Sequence, residues 1–226
     1  MIAIITAMEV ELRDILSRME NPQPVEKPGL WGYVGSLHGK TVLAAVCGVG
    51  KVCAAQCAQM IVSEYKPTAV LHSGIAGAVS PALRHLDVVV ARELTYRDMS
   101  EPTKRDFVPF GGYFVADPKL VTLLRKACPE SHLGCIATGD LFVSAQSEKE
   151  RLQRDFNALC AEMEGAAVAH VCAVNRVPFA VVRCISDLAN DDAYGDYEHF
   201  ELLAAKKSAD ILCGAIAMME EKEDVK

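Results

Sequence analysis

Three carboxylates draw attention by where they fall. Glu11 follows the apolar run Met1–Ala7, Glu164 lies in Glu162-Met163-Glu164-Gly165, and Asp187 closes Arg183-Cys184-Ile185-Ser186-Asp187. Each stands at or just beyond a segment that reads as a strand. In open α/β sheets ligands bind beyond the carboxyl ends of strands, so such a sheet brings the three acids to one edge. Singly, an acid after a strand is ordinarily a helix cap, and a carboxylate at a helix start gains from the dipole. Together, around an apolar pocket, they suit cleavage of a sugar bond of cationic character. One acid protonates the leaving group and another handles water. The residues alone point to a hydrolase or transferase of a small sugar-containing molecule and leave the substrate open. Two small-residue segments, Gly48-Val49-Gly50-Lys51 and Ser73-Gly74-Ile75-Ala76-Gly77, read as further strand ends where backbone can approach a ligand. The first lacks the spacing of either common phosphate-binding glycine loop and by itself reads as a tight strand-to-helix turn.

The elements that must position these groups follow from periodicity. Short runs rich in β-branched residues alternate with stretches of helical period. Strands are predicted at 1–7, 31–37, 41–47, 68–73, 86–91, 135–138 and 179–185, with a turn at His38-Gly39-Lys40. Helices are predicted at 10–18, 52–65, 117–128 (Asp117-Pro118 as cap and first turn), 147–156, 165–175 and 197–219, with 220–226 as a frayed charged tail. Alternating strands and helices give an α/β layer structure with helices on both faces of the sheet. The least regular stretch, Tyr96 to Gly112, is dense in charge, Pro and Gly, and a loop that long is usually functional or mobile.

Composition bounds the remaining classes. The chain has 226 residues, 51% apolar and 23% charged, which fits one globular domain and excludes disorder, collagen and coiled coil. A net charge of −7 leaves no basic stripe for nucleic acid. No apolar stretch approaches the roughly 20 residues of a membrane helix, and no signal segment is evident. The nine cysteines therefore read as reduced thiols of a cytoplasmic protein. Cys53 and Cys57, four apart on a predicted helix, read as small core residues on one face, not as metal ligands. The six histidines are scattered and read as structural or solvated.

The segments Ala7-Met8-Glu9-x-Glu11, Gly48-Val49-Gly50-Lys51, Ser73-Gly74-Ile75-Ala76-Gly77, Glu162-Met163-Glu164-Gly165-Ala166 and Arg183-Cys184-Ile185-Ser186-Asp187 carry a resemblance. Their order and approximate spacing resemble those of bacterial 5′-methylthioadenosine/S-adenosylhomocysteine nucleosidases, within the purine nucleoside phosphorylase superfamily. The resemblance spans nearly the whole chain. The E-M-E-G and R-x-I-S-D segments are characteristic of the superfamily, and the A-M-x-x-E start points to the nucleosidase branch. It implies a single-domain three-layer α/β/α fold over 1–226, with a central mixed, partly barrel-like sheet flanked by helices. It implies a homodimer acting on a small-molecule nucleoside without metal or organic cofactor.

By motif position the resemblance implies roles. Asp187 is the acid at adenine N7, Glu11 positions the attacking water and Arg183 assists. Glu164 takes the ribose hydroxyls with Met163 against the sugar. Phe142 stacks on adenine, Val143 pairs with the base edge through its backbone, and Ser186 orients Asp187. Met8 and Val49 line the pocket, and Tyr197 faces the 5′ substituent. Ile75 stands where many members carry a small hydroxyl residue. Phosphorylase relatives hold phosphate with Gly-Asp-Pro-x-x-Arg where this chain has Ala7-Met8-Glu9-Val10-Glu11, and a carboxylate there repels phosphate. Hydrolysis is therefore expected, with futalosine or aminodeoxyfutalosine hydrolysis, or a non-catalytic nucleoside-binding or storage role, as alternatives. An exposed Asp, of pKa about 3.9, is protonated only about once in a thousand at pH 7, so Asp187 is expected to be buried. Glu11 is expected to stay ionised.

Overall fold

The computed structural model describes residues 1–25 and 27–220. The chain runs β1 (Ile2–Thr6), α1 (Glu9–Leu16), β2 (Glu20–Pro24), β3 (Trp31–Leu37), β4 (Lys40–Val46), α2 (Lys51–Tyr65), β5 (Ala69–Ala78) and β6 (Val88–Tyr96). It continues α3 (Glu101–Phe107), a 3-10 turn (Pro109–Gly112), β7 (Tyr113–Val115), α4 (Pro118–Ala127), β8 (His132–Thr138) and α5 (Gln146–Phe156). β9 (Ala158–Glu162), α6 (Gly165–Val174), β10 (Phe179–Asp187) and α7 (Ala193–Ala217) complete it.

The strands form one mixed sheet in the order β10-β6-β8-β9-β5-β1-β4-β3-β2, and an added β10–β5 pairing closes β5, β10, β6, β8 and β9 into a ring. That ring is the barrel-like part, and β1, β4, β3 and β2 extend from it as an open wing. Successive side chains of a strand face opposite ways, and the two main core clusters divide accordingly. Ala3 and Ile5 of β1 pack with Ala54, Ala58 and Ile61 of α2 and with Ala166–Ala169 of α6. Ile2 and Ile4 pack with Leu12 and Ile15 of α1, Leu120 and Leu124 of α4, and Leu212 and Ile216 of α7. Helices thus cover both faces, giving the expected three layers. Asp117 caps α4 through Lys119 N (2.9 Å) and Leu120 N (3.0 Å), as its position before Pro118 predicts. The β3–β4 hairpin turns on His38 and Gly39, both at positive φ (52° and 76°).

Several expectations are corrected. Ser73–Gly77 is not a strand end: β5 runs on to Ala78, because small residues let two neighbouring strands and the site's side chains crowd against it. β10 likewise extends to Asp187. β9 goes unanticipated, since Ala158-Leu-Cys-Ala-Glu162 lacks β-branched residues. β2 and β7 are also additional. The irregular stretch 96–112 contains α3, anchored by Lys104, whose side chain is wholly buried and sits 4.3 Å above the Phe156 ring. Cys57 is buried as expected, but Cys53 is exposed, so the two thiols do not share a core face. All nine cysteines are free. The tail segment 221–226 lies outside the described residues. Among the described residues no helix is long and apolar enough to cross a membrane.

Candidate active site

The carboxyl ends of β1, β8 and β9 and the middles of β5 and β10 meet around one buried cation. Arg183 is 1% exposed. Its Nη2 donates to Glu162 Oε2 (2.5 Å) at the end of β9 and to His72 Nε2 (2.5 Å) within β5. Glu162 is fully engaged: Oε2 also accepts from the N–H groups of Glu164 (3.1 Å) and Gly165 (2.6 Å), and Oε1 accepts from the Thr138 hydroxyl. Burial raises the Glu162 pKa, but Arg183 and these donors outweigh it, so the carboxyl lies below its ordinary range. Burial also opposes the charge on Arg183, and Glu162, Glu11 and Glu164 more than compensate, raising its pKa.

Glu11 occupies the first turn of α1. Its Oε2 accepts from Ala7 N (2.8 Å) and Met8 N (3.0 Å), and its Oε1 from Ile75 N (3.1 Å). Desolvation by burial pushes its pKa up, against the pull of Arg183 and these three N–H groups. Burial thus works against the expected ionised Glu11, while Arg183 and the three N–H groups work for it. Gly74 makes this arrangement possible. A Cβ there would lie 2.6 Å from Glu11 Oε1 and 3.1 Å from Arg183 Nη1.

Glu164 precedes α6. Its Oε1 accepts from Gly50 N (2.8 Å), in the turn between β4 and α2. Gly48 and Gly50 both take positive φ (85° and 97°), which is why this turn is written with glycines. Lys51 N donates to Asp140 Oδ1 (2.8 Å) and Lys51 Nζ to Asp98 Oδ2 (2.5 Å), clasping the turn to the ends of β6 and β8. Burial and the neighbouring Glu162 charge raise the Glu164 pKa to about 8.

Asp187 stands apart from the cation. The register between β10 and β5 shifts between Ile185 and Asp187, a bulge that re-aims the last residue. Its Oδ2 accepts from Ser186 Oγ (2.9 Å) and its Oδ1 from Ala189 N (3.0 Å). Burial raises its pKa, and those two donors only partly oppose it. Gly77 clears its space, because a Cβ there would lie 2.6 Å from Asp187 Oδ1. A cavity beside it is lined by Gly77, Arg97, Phe142, Val143, Met163 and Asp187.

The other residues singled out from sequence fall around these groups. Met8 gives an N–H to Glu11, and its sulfur lies 3.5 Å from the Tyr197 hydroxyl. Tyr197 donates to Glu201 (2.7 Å), and its ring centroid is 6.0 Å from that of Phe142. Ile75 supplies its N–H to Glu11 while its side chain joins the core. Val49 is 50% exposed and stands at the rim of the site.

Sequence reasoning gave Glu162 and His72 no part. Glu162 is signalled by its place in the E-x-E pair, and His72 by standing two residues before Gly74 in an otherwise apolar strand. His72, Glu162 and Glu164 lie close enough together to hold a metal ion. Arg183 Nη2 fills that position, 2.5 Å from both His72 Nε2 and Glu162 Oε2. The donor set therefore fits a guanidinium and not a metal.

The chain is similar in structure to several solved enzymes. One is 5′-methylthioadenosine/S-adenosylhomocysteine nucleosidase from Neisseria meningitidis, in complex with methylthio-immucillin-A (29% identity, TM-score 0.92, covering 96% of this chain and 99% of that one). Another is S-adenosylhomocysteine nucleosidase from Streptococcus pyogenes, in complex with 5-methylthiotubericidin (33%, 0.91, 97% of each chain). Futalosine hydrolase from Helicobacter pylori is similar as well (30%, 0.90, 96% of this chain and 97% of that one). The Phosphorylase superfamily model matches residues 1–217, and with the ringed sheet and the site at its strand ends, the chain belongs to that superfamily.

Proposed function

We propose that this protein is an N-ribosyl hydrolase that cleaves 5′-methylthioadenosine and S-adenosylhomocysteine to adenine and a 5-thio-substituted ribose. The observation that carries the reading is the separation of two buried carboxyls with different surroundings. Glu11 lies beside Arg183 and accepts three backbone N–H bonds, whereas Asp187 accepts from Ser186 and Ala189 and borders a cavity with Phe142 and Val143. One carboxyl supported by a cation and three N–H groups, and a second without that cation, suit a base and an acid that act together.

Adenine leaves poorly as an anion and well as a neutral base. Asp187, its pKa raised by burial, gives a proton to N7 as the bond from C1′ to N9 breaks and its electron pair passes to the base. Phe142 stacks on the base, the Val143 backbone pairs with its edge, and Ser186 holds Asp187 in place. Glu11 orients a water beneath the cationic sugar and takes one of its protons as the water oxygen bonds to C1′. The upward shift of Glu11 improves it for that task. Arg183 supports the carboxylate. Glu164 grips the ribose hydroxyls with Met163 alongside, and Met8, Ile75, Val49 and Tyr197 complete the sugar and 5′ ends. A carboxylate at Glu11 disfavours phosphate as the nucleophile. The relatives named as nucleosidases support this substrate class. Similarity to a futalosine hydrolase makes aminodeoxyfutalosine the second substrate to try. We read the protein as a cytoplasmic homodimer, supported by its free thiols and by exposed apolar side chains on Val52, Phe107 and Phe110.

The test measures adenine release from methylthioadenosine, S-adenosylhomocysteine and aminodeoxyfutalosine, each with and without phosphate, and identifies the sugar. Phosphate-independent release with free sugar is expected. Ribose 1-phosphate as product would overturn the assignment of Glu11, and binding without turnover of any substrate would favour a storage protein.

A further inference from the structure

His72 is 1% exposed, in the middle of a strand whose every residue is buried. A site needing only packing is filled more cheaply by an apolar side chain, since a buried polar group costs free energy unless its bonds are made. Both ring nitrogens of His72 are engaged. Nδ1 lies 2.8 Å from the Ile5 carbonyl of β1, and Nε2 lies 2.5 Å from Arg183 Nη2. A carbonyl only accepts, so Nδ1 carries the proton. A guanidinium only donates, so Nε2 is bare. The ring is therefore neutral and in one tautomer, which agrees with a pKa lowered to about 3 by burial and by Arg183.

We propose that His72 is a positioning residue for the hydrolytic reaction: it presents a bare Nε2 to Arg183 Nη2 and so fixes the guanidinium beside Glu11. The two hydrogens of Nη2 are divided between His72 and Glu162. With both Nη2 hydrogens bonded, the Val182 carbonyl accepts from Nη1 (3.3 Å), and Nη1 faces the space above Gly74 where Glu11 Oε1 also lies. The Ile5 carbonyl sets the tautomer, the tautomer sets Arg183, and Arg183 supports the carboxylate that handles water. The role rests on the hydrolase reading above, so its test has one arm that needs no substrate.

In that arm, 15N spectra of the resting protein are expected to show His72 as the Nδ1–H tautomer, unprotonated at Nε2 from pH 5 to pH 9. A proton on Nε2 anywhere in that range overturns the proposal, whatever the substrate proves to be. In the second arm His72→Gln, whose amide oxygen can reach the Nε2 position, is compared with His72→Leu. Gln is expected to keep kcat within about threefold, and Leu to lose about 10- to 100-fold in kcat with little change in KM, the scale of one hydrogen bond to a charged group. Thermal unfolding of both variants separates this from misfolding, because a packing role moves Tm and leaves kcat per folded molecule unchanged. Unaltered kcat in the Leu variant, or equal damage in both, overturns the proposal. A wild-type protein that turns over no nucleoside overturns the hydrolase reading instead, and the tautomer still reports on His72.

Discussion

The two ends of one short strand segment in β10 are built on opposite electrostatic plans. Arg183 lies among acids and acceptors: Glu162 and His72 bond its Nη2, the Val182 carbonyl accepts from its Nη1, and Glu11 lies across Gly74. Asp187, four residues later, has a hydroxyl and one N–H. In an unbroken strand residues four apart share a face, and the acid would lie along the same side as the guanidinium. The bulge at Ser186 prevents that. An Asp bonded to Arg183 would have its pKa drawn down, whereas burial at the end of the strand raises that of Asp187. A single extra residue in the ladder thus lets one strand supply both a cation that supports one carboxylate and, apart from it, a buried acid whose pKa is raised.

The sharpest way to break this comparison is to remove each carboxyl and vary the leaving group. Asp187→Asn and Glu11→Gln are each expected to lower kcat on methylthioadenosine by about 10²- to 10⁴-fold, the ordinary contribution of a positioned acid or base. The two should then part company. On a riboside whose leaving group departs as a stable anion, such as a nitrophenolate, Asp187→Asn regains most of its activity because no proton is needed. Glu11→Gln stays impaired because water must still be handled. Equal recovery of both, or of neither, would mean that the two ends do not divide the work as their surroundings indicate.

Next in size are the two glycines that clear the ground for each end. Gly74→Ala would put a methyl 2.6 Å from Glu11 Oε1, and Gly77→Ala would put one 2.6 Å from Asp187 Oδ1. Displacing a reacting group by about 1 Å can cost about 100-fold, so each is expected to lower kcat on that scale. The leaving-group test applies again: the activated riboside should rescue Gly77→Ala and leave Gly74→Ala slow. Identical behaviour on both substrates would show that the strand shifts as one piece and that the ends are not independent.

These glycines also show what the sequence made legible. Their small-residue run marked the place of close approach, the carboxylates Glu11 and Asp187 stood out because each follows a predicted strand, and Glu164 by its place in the Glu162-Met163-Glu164-Gly165 segment. Where the strand stopped was not legible, because Ser73–Gly77 lacks the β-branched pattern that a strand ordinarily shows. β5 persists through it on ladder bonds to β10, which sequence periodicity does not record. β9 was hidden for the same reason. Glu162 and His72 were missed because their partners are remote in sequence. Arg183 lies 21 residues from Glu162 and 111 from His72, and only the closed ring of strands brings them together. A lone histidine in a buried strand was a usable signal, since such a ring must find two partners.

The smallest effect tests the crowding of charge at the Arg183 end. Glu162, Glu11 and Glu164 surround one arginine, and Glu164 responds by binding a proton, with its pKa raised to about 8 by burial and by Glu162. In the unfolded chain the same carboxyl titrates near 4.3. Between those values the folded protein holds a proton that the unfolded chain has lost, so the stabilising share of this group is full at low pH and falls away as pH rises through about 8. Glu164→Gln, neutral at every pH, removes that dependence. Its Tm is expected to match the wild type near pH 5 and to exceed it by a few degrees at pH 9, measured by thermal unfolding at fixed salt. The reverse sign, a variant less stable than wild type at pH 9, would mean that the Gly50 N–H and Arg183 stabilise an ionised Glu164 more than burial and Glu162 oppose it. The Arg183 end would then carry one more negative charge in the resting protein, held by those donors.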